Sequence, residues 1–230
     1  MTRCLLLSIA ACLALAGCGS APVQPAWQGT AHMALQVAVE AYLSGNARVA
    51  DAEMARARSE IARTGQPALL ARAELVMCAA HVASLDFDGC PAYEALAGDA
   101  APPERAYAAY LYGRAQAADI ALLPEQHRAL AVWGESPQGA AAAAPSSAPL
   151  AAVADPLAQL VAAGVLLQRS RLAPDAAAIA SASASAQGWR RPLLGWLGVQ
   201  VRAADAAGDR AAAQRLRRQM NLVSGAGNAP

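Results

Sequence analysis

Five side chains of the types that bind metal ions lie within thirteen positions of one another, namely Cys78, His81, Asp86, Asp88 and Cys90. Thiolate, imidazole and carboxylate groups are the ligands that zinc prefers in proteins. Cys78 and His81 are three residues apart, so a helix would place both on one face. The spacing of the whole cluster nevertheless matches no common zinc-site pattern. The cluster predicts, as one alternative, a protein that handles a metal or a small molecule, or an enzyme.

Motifs that carry catalysis are missing from the rest of the chain. The sequence contains no GxSxG elbow, no phosphate-binding loop, no HExxH pair and no dinucleotide fingerprint. The three histidines, His32, His81 and His127, are the whole supply of imidazole bases. Because an active site needs several converging polar groups, we predict no catalytic residues and a function other than catalysis.

The N-terminus has the layout of a secretory signal. A short positive segment, Met1 to Arg3, precedes an apolar stretch over residues 4–15. That stretch is shorter than the roughly 20 apolar residues that a membrane-spanning helix needs. It ends in Leu15, Ala16, Gly17 and Cys18. Residues 1–17 are therefore predicted to form a secretory signal segment.

These last four residues resemble the lipobox of bacterial lipoproteins, and the resemblance covers the first 18 residues of the chain. It implies cleavage before Cys18, diacylglycerol on the Cys18 thiol and acylation of the new amine. Apart from these covalent lipids, no cofactor is expected. Gly19 stands where inner-membrane lipoproteins commonly carry Asp. The resemblance thus implies a protein held in a lipid bilayer through Cys18, in the outer membrane and facing the periplasm.

Two cysteines remain once this processing is taken into account. Of the five in the chain, Cys4 and Cys12 leave with the signal and Cys18 carries lipid. An even pair in an oxidising compartment favours a disulfide. We therefore expect Cys78 and Cys90 to join the end of one helix to the start of the next, across the turn at residues 86–89. This disulfide is the favoured alternative to a metal site.

Composition predicts an all-α fold. The chain is rich in Ala and only 4% aromatic, and Ala is both the best helix former and small enough to let helix backbones approach. All 18 basic residues are Arg, and removal of Arg3 with the signal leaves 17 Arg against 17 acidic residues. This neutral balance gives no electrostatic case for binding nucleic acid.

Two helical hairpins are predicted, one at each end of the folded region. The first spans residues 30–64 and turns at residues 44–46, and the second turns at Gly208 and Asp209. A shift of 163 residues superposes Gly45 on Gly208 and Asn46 on Asp209. The second hairpin consists of helices expected at residues 190–207 and 209–223. The remaining helices are expected at residues 67–84, 103–122, 124–134, 155–171 and 174–187.

The hairpins resemble the tetratricopeptide repeat, a 34-residue helix–turn–helix unit. Its small positions correspond to Ala38, Gly45, Ala50 and Ala57 in the first copy. The last copy keeps only Gly208 and Ala213, because Val201 and Met220 occupy the other two. The resemblance implies stacked antiparallel hairpins in a tetratricopeptide-like solenoid, with an irregular helical bundle as the alternative.

Low-complexity segments divide the chain further. We expect a lipidated tether at residues 18–29, an N-terminal helical-hairpin region at 30–134, an Ala/Pro/Ser linker at 135–154, a C-terminal helical-hairpin region at 155–223 and a disordered tail at 224–230. A long structureless loop argues against a single continuous core. The linker therefore marks a candidate domain boundary.

Two groups of residues are candidates for contact with a partner. Tyr107, Tyr110 and Tyr112 form the densest aromatic patch, which predicts either a ligand groove or, as the favoured alternative, core packing. Four arginines of the last helix, Arg210, Arg215, Arg217 and Arg218, either contact a partner or complement the dipole of their own helix. Together with the lipobox, these features predict a non-enzymatic scaffold that binds envelope proteins.

Overall fold

The computed structural model describes residues 25–133 and 146–225. In both ranges every regular element is a helix, so the predicted all-α fold is confirmed. The α-helices are α1 (Ala26–Leu43), α2 (Ala47–Ala62), α3 (Pro67–Ala83), α4 (Pro91–Glu94), α5 (Pro102–Leu111), α6 (Ala117–Ile120), α7 (Glu125–Trp133), α8 (Ala148–Ala151), α9 (Pro156–Gln168), α10 (Ala176–Gln187), α11 (Arg190–Ala206) and α12 (Arg210–Ser224), with a 3₁₀ turn at Ala97–Asp99.

The two predicted hairpins, α1–α2 and α11–α12, are confirmed and share one turn chemistry. Gly45 and Gly208 adopt φ values of +85° and +73°, which glycine reaches without steric cost. The next residue, Asn46 or Asp209, donates its backbone N–H to the carbonyl five positions earlier. Its side chain then accepts a hydrogen bond from the backbone N–H three positions later, which caps the second helix. The identity of these hairpins as tetratricopeptide units stays a prediction.

Helices α3 and α9 form the centre of the molecule and pack directly on each other. A Cβ atom at Gly164 of α9 would lie 2.5 Å from the carbonyl oxygen of Val82 in α3. Only glycine therefore permits this close approach of the two backbones. The α1–α2 hairpin lies against α3, and α10, α11 and α12 follow in succession from α9.

The two predicted regions share a single core. One cluster of buried apolar residues runs from Tyr42 in α1 to Trp196 in α11. The fully buried Trp196 donates its indole N–H to the carbonyl oxygen of Ala83, 3.1 Å away. Residues on both sides of the expected linker thus pack together, and the candidate domain boundary is wrong.

Three predicted segment limits also need correction. Helix α1 begins at Ala26 within the expected tether, because Trp27 packs against a small apolar cluster that includes Ala31 and Met54. Residues 148–151 of the expected linker form α8, since Leu150 is 1% exposed and its carbonyl accepts a hydrogen bond from Gln159. Helix α12 extends through Ser224. The rest of the tether before Pro25, residues 134–145 and residues 226–230 lie outside the described residues.

The helix expected over residues 103–122 ends early. Gly113 adopts φ +65°, and the backbone N–H of Arg114 turns back to the carbonyl oxygen of Ala109, which closes α5. Ser170, with φ +54°, follows the end of α9 in the same way.

Among the described helices, none combines the length and apolar character that crossing a bilayer requires.

Candidate functional site

A cleft of about 340 Å³ lies between α2, α3 and the loop that enters α4. The disulfide builds one wall, because Cys78 of α3 is bonded to Cys90, the residue before α4, with 5.6 Å between their Cα atoms. The expected disulfide is therefore confirmed. The disulfide holds the loop against α3, so Gly89 and Pro91 line the cleft.

The cleft combines an apolar lining with an ion pair between the exposed Arg58 and the buried Glu74. Met54, Met77 and Tyr93 supply apolar lining. Arg58 donates its Nε and Nη2 hydrogens to the two carboxylate oxygens of Glu74 at 2.6 and 2.8 Å. The Glu74 side chain is only 5% exposed, and its hydrogen bonds raise the pKa of Arg58. A buried carboxylate needs such a partner, so the pair holds α2 against α3.

His81 also lines this cleft but is committed to its neighbours. Its ring stacks on Tyr42 with 4.5 Å between centroids, and its Nδ1 lies 3.5 Å from Oδ2 of Asp86. Burial lowers the pKa of His81, although Asp86 opposes this effect. Burial and Asp86 also raise the pKa of Tyr42 to about 12. At neutral pH the imidazole is therefore uncharged and the phenol keeps its proton.

Arg191 completes the arrangement around Tyr42. Its guanidinium carbon lies 4.3 Å from the centre of the Tyr42 ring, and its Nε donates to the Tyr42 carbonyl oxygen at 2.9 Å. Close by, Trp189 donates its indole N–H to Glu40 at 2.8 Å. These contacts join the start of α11 to the end of α1. The group around His81 thus acts as a structural joint between helices.

The five residues of the candidate metal cluster come only partly together. Cys78, His81 and Cys90 line the cleft, Asp86 contacts His81, and Asp88 lies in an adjoining depression with Phe87. Both sulfurs are consumed in the disulfide, so neither cysteine offers a thiolate. Across residues 25–133 and 146–225, no three His, Cys, Asp or Glu side chains are placed to hold a metal ion.

Two of the three tyrosines belong to the core, as the favoured alternative predicted. Tyr110 is 2% exposed, and its ring lies 4.9 Å from that of the buried His127, while Tyr107 packs half-buried beside both. Tyr110 is therefore wrong as a partner contact, because a partner cannot reach it. Burial raises the pKa of Tyr107 and Tyr110, and it lowers the pKa of His127 to about 4.

Tyr112 is placed differently, at the surface. Its hydroxyl donates to Oε1 of Glu94 at 2.6 Å, and the guanidinium of Arg114 lies 4.8 Å from its ring centre. The three side chains line the depression that also holds Asp88. Burial and the hydrogen bond with Glu94 raise the pKa of Tyr112.

All four arginines named in the last helix are exposed. Arg217 is paired with Asp205 of α11 at 2.6 Å. Within the described residues, Arg210, Arg215 and Arg218 have no carboxylate within ion-pair distance. These three cations are thus open to an external anion.

No family model, curated protein or solved structure matches this chain. Its function has to be inferred from its own residues.

Two ion pairs between helices, each with a buried carboxylate, were not predicted from the sequence. Glu74 pairs with Arg58, and Glu104, 7% exposed, pairs with Arg72 at 2.6 Å. A signal was present for Glu74, because the residues that directly follow it in α3 are apolar and predict a buried position. A buried carboxylate there needs a partner from another helix. Its partner is sixteen positions away in sequence, and no local pattern identifies it.

Proposed function

We propose that this protein is a lipid-anchored, non-enzymatic helical scaffold that binds another protein of the bacterial cell envelope. The single observation that carries the anchor is the sequence Leu15, Ala16, Gly17, Cys18 after a charged start and a short apolar stretch. The thiol of Cys18 is the group that would accept the lipid. Several acyl chains hold a protein firmly, since each buried CH₂ contributes about 0.8 kcal/mol.

The position of the first helix supports this assignment. Cys18 is seven residues before Pro25, where the described structure begins. A chain of that length reaches at most about 25 Å when fully extended. The folded helices would therefore stay close to the bilayer and meet partners in the same membrane. The Cys78–Cys90 disulfide is in keeping with an oxidising envelope compartment.

The scaffold role rests on how the polar groups are used. Two of the three described histidines, His81 and His127, are packed on tyrosine rings, and the ion pairs Arg58–Glu74 and Arg72–Glu104 join helices. By contrast, the terminal hairpin presents unpaired cations on its surface. A charged surface on a stack of helical hairpins is suited to binding another protein.

The anchor is tested by mass spectrometry of the N-terminal peptide of the protein isolated from membranes. We expect a mature chain that begins at Cys18 and carries the mass of diacylglycerol plus one acyl group. The Cys18→Ser variant should be unprocessed or soluble, whereas the control Cys12→Ser, within the apolar stretch of the signal, should be processed normally. An unmodified Cys18 in membrane-derived protein, or a membrane-bound and processed Cys18→Ser variant, would refute the proposed anchor.

A further inference from the structure

Formal charge is distributed very unevenly along the folded chain. Residues 190–225 contain seven arginines and two aspartates, a formal charge of +5. Residues 25–189 contain ten arginines and fifteen acidic residues, a formal charge of −5. The neutral total therefore hides a basic hairpin, α11–α12, at the end of an acidic body. Such a separation of charge orients oppositely charged partners toward the hairpin.

The same hairpin borders an apolar groove of about 330 Å³ between α10, α11 and α12. Leu193 and Leu197 of α11 and Leu222 and Val223 of α12 supply its apolar lining, and α10 adds the small side chains of Ser181, Ala182 and Ser185. Leu222 is 73% exposed, more than any other large apolar side chain in residues 25–131 and 146–225. Helix α12 has only one fully buried residue, Ala213. The apolar side chain of Leu222 at the groove is therefore left largely open to solvent.

Two unpaired arginines of α12 lie, by helical spacing, on the same face of the helix as residues that line this groove. Arg215 is one helical turn before Gln219, and Arg218 is one turn before Leu222, and both Gln219 and Leu222 line the groove. Neither arginine has an ion-pair partner among the described residues, whereas Arg217 is held by Asp205. An occupant of the groove would thus meet leucine side chains along its floor and cations along one edge.

We propose that this groove binds an amphipathic helix whose apolar stripe is flanked by acidic side chains, contributed by an envelope partner. The proposal rests on the scaffold function above and names the docking site and the chemistry of the partner. Apolar side chains of such a helix, repeated every three to four residues, pack into hydrophobic grooves between helices. Acidic residues at its flanks would face Arg215 and Arg218, which increases the rate of association and fixes the orientation.

The position of the groove favours a protein helix over the bilayer. Leu193 lies one turn after Trp189, which bonds to Glu40 near the C-terminal end of α1. The proposed tether joins the opposite end of α1, and this 18-residue helix is about 27 Å long. The groove is thus set apart from the point of membrane attachment. A lipid surface is also flat, whereas the site is a concave space between three helices.

Fluorescence anisotropy with two synthetic 18-residue peptides tests the proposal on the full-length protein in detergent. One labelled peptide has a leucine stripe flanked by Glu, and the control has the same stripe flanked by Lys. We expect saturable binding of the acidic peptide, weakened by salt, and at least tenfold weaker binding of the basic one. The variants Arg215→Glu/Arg218→Glu and Leu222→Ser should each weaken binding of the acidic peptide by about tenfold or more, on the order of 1.4 kcal/mol.

Matched substitutions elsewhere control for nonspecific effects. Arg48→Glu reverses an exposed arginine of α2, and Leu122→Ser removes a leucine that is 43% exposed before α7. Both should bind the acidic peptide within twofold of the wild type. Absence of saturable binding, or equal effects of the groove and control variants, would overturn the proposal.

A sedimentation assay with vesicles of phosphatidylethanolamine and phosphatidylglycerol tests whether this surface binds a lipid bilayer instead of a protein helix. The Cys18→Ser protein should not bind these vesicles through α12. If it does, and Arg215→Glu/Arg218→Glu abolishes that binding while the peptide fails to bind, the surface belongs to the bilayer and the proposal is wrong. Peptide binding does not depend on lipid at Cys18. If the peptide does not bind and Cys18 is acylated, only the groove proposal is refuted. If the peptide binds and Cys18 is unmodified, only the proposed anchor is refuted.

Discussion

Helices α9 and α12 are similar in length but opposite in character. Nine of the thirteen residues of α9 are buried, whereas one of the fifteen residues of α12 is. In α9, Gly164 brings the backbone against α3, and small side chains fill the layer. In α12, four arginines face solvent and an apolar edge is left open. The comparison indicates that the α3–α9 layer supplies stability, whereas α12 contributes little to the core and carries the surface proposed for contact with a partner.

The largest effect should come from Gly164→Ala in the central layer. The new Cβ would lie 2.5 Å from a backbone oxygen of α3, so the two helices must separate. We expect a loss of at least about 3 kcal/mol in the free energy of unfolding, measured in urea by circular dichroism.

Gly198→Ala in α11 is the matched control. Its Cβ would meet only the Arg202 guanidinium, at 3.7 Å. Alanine is the better helix former, so this variant should gain about 0.5–1 kcal/mol. If the two variants were equally stable, the claim that only the central layer depends on a close backbone approach would be contradicted.

Removal of the disulfide should have the next largest effect. The bond joins residues twelve positions apart, and the chain-entropy model assigns such a loop about 3 kcal/mol. We expect Cys78→Ala/Cys90→Ala to lose about 2–3 kcal/mol of unfolding free energy in urea. A reductant should destabilise the wild type by a similar amount and leave the double variant unchanged. A reductant effect on the double variant would point to a different cause.

Acidification should destabilise the core through His127. Its pKa is about 4 in the folded protein and near 6.5 in the unfolded chain, so the unfolded chain binds more protons between these values. Stability is therefore complete above pH 6.5 and falls as the pH falls through this window, by about 2 kcal/mol between pH 7 and pH 5. Urea unfolding at the two pH values measures this. His127→Gln should reduce this loss of unfolding free energy between pH 7 and pH 5, whereas His32→Gln at an exposed position should not. If His127→Gln leaves the loss unchanged, other groups cause it.

The smallest effect on stability should come from the arginines of α12. Arg215 and Arg218 are exposed and unpaired in the described structure, so Arg215→Glu/Arg218→Glu should change the unfolding free energy by less than about 0.5 kcal/mol. The same urea measurement checks this. A loss above about 1.5 kcal/mol would show that these residues hold the hairpin together, contrary to the division of roles proposed here.

Local features were predictable from the sequence. The two hairpin turns follow from a glycine and a capping Asn or Asp, which act within six residues of one another. The all-α fold follows from composition, and the disulfide follows from two remaining cysteines at a short separation. Local periodicity also predicted the last helix, on which the four arginines are exposed.

Contacts between distant parts of the chain were not predictable. Gly164 looks like a flaw in a helix until Val82, more than eighty positions earlier, is found against it. Leu150 lies in a low-complexity stretch that suggested a linker, yet it fills a space beside α9. Tyr110 is buried because α7 brings His127 against it. Periodicity shows that a residue has an apolar face to cover but not which helix covers it.

Native-state hydrogen exchange of the purified full-length protein tests the division between the two regions most directly. Backbone amides of α9 between Val161 and Val165 should exchange only through global unfolding, with the highest protection in the molecule. Amides of α12 should exchange through a local opening of clearly lower free energy, since Ala213 is its one fully buried residue. Equal protection of α9 and α12 would contradict the account, because α12 would then be part of the cooperative core.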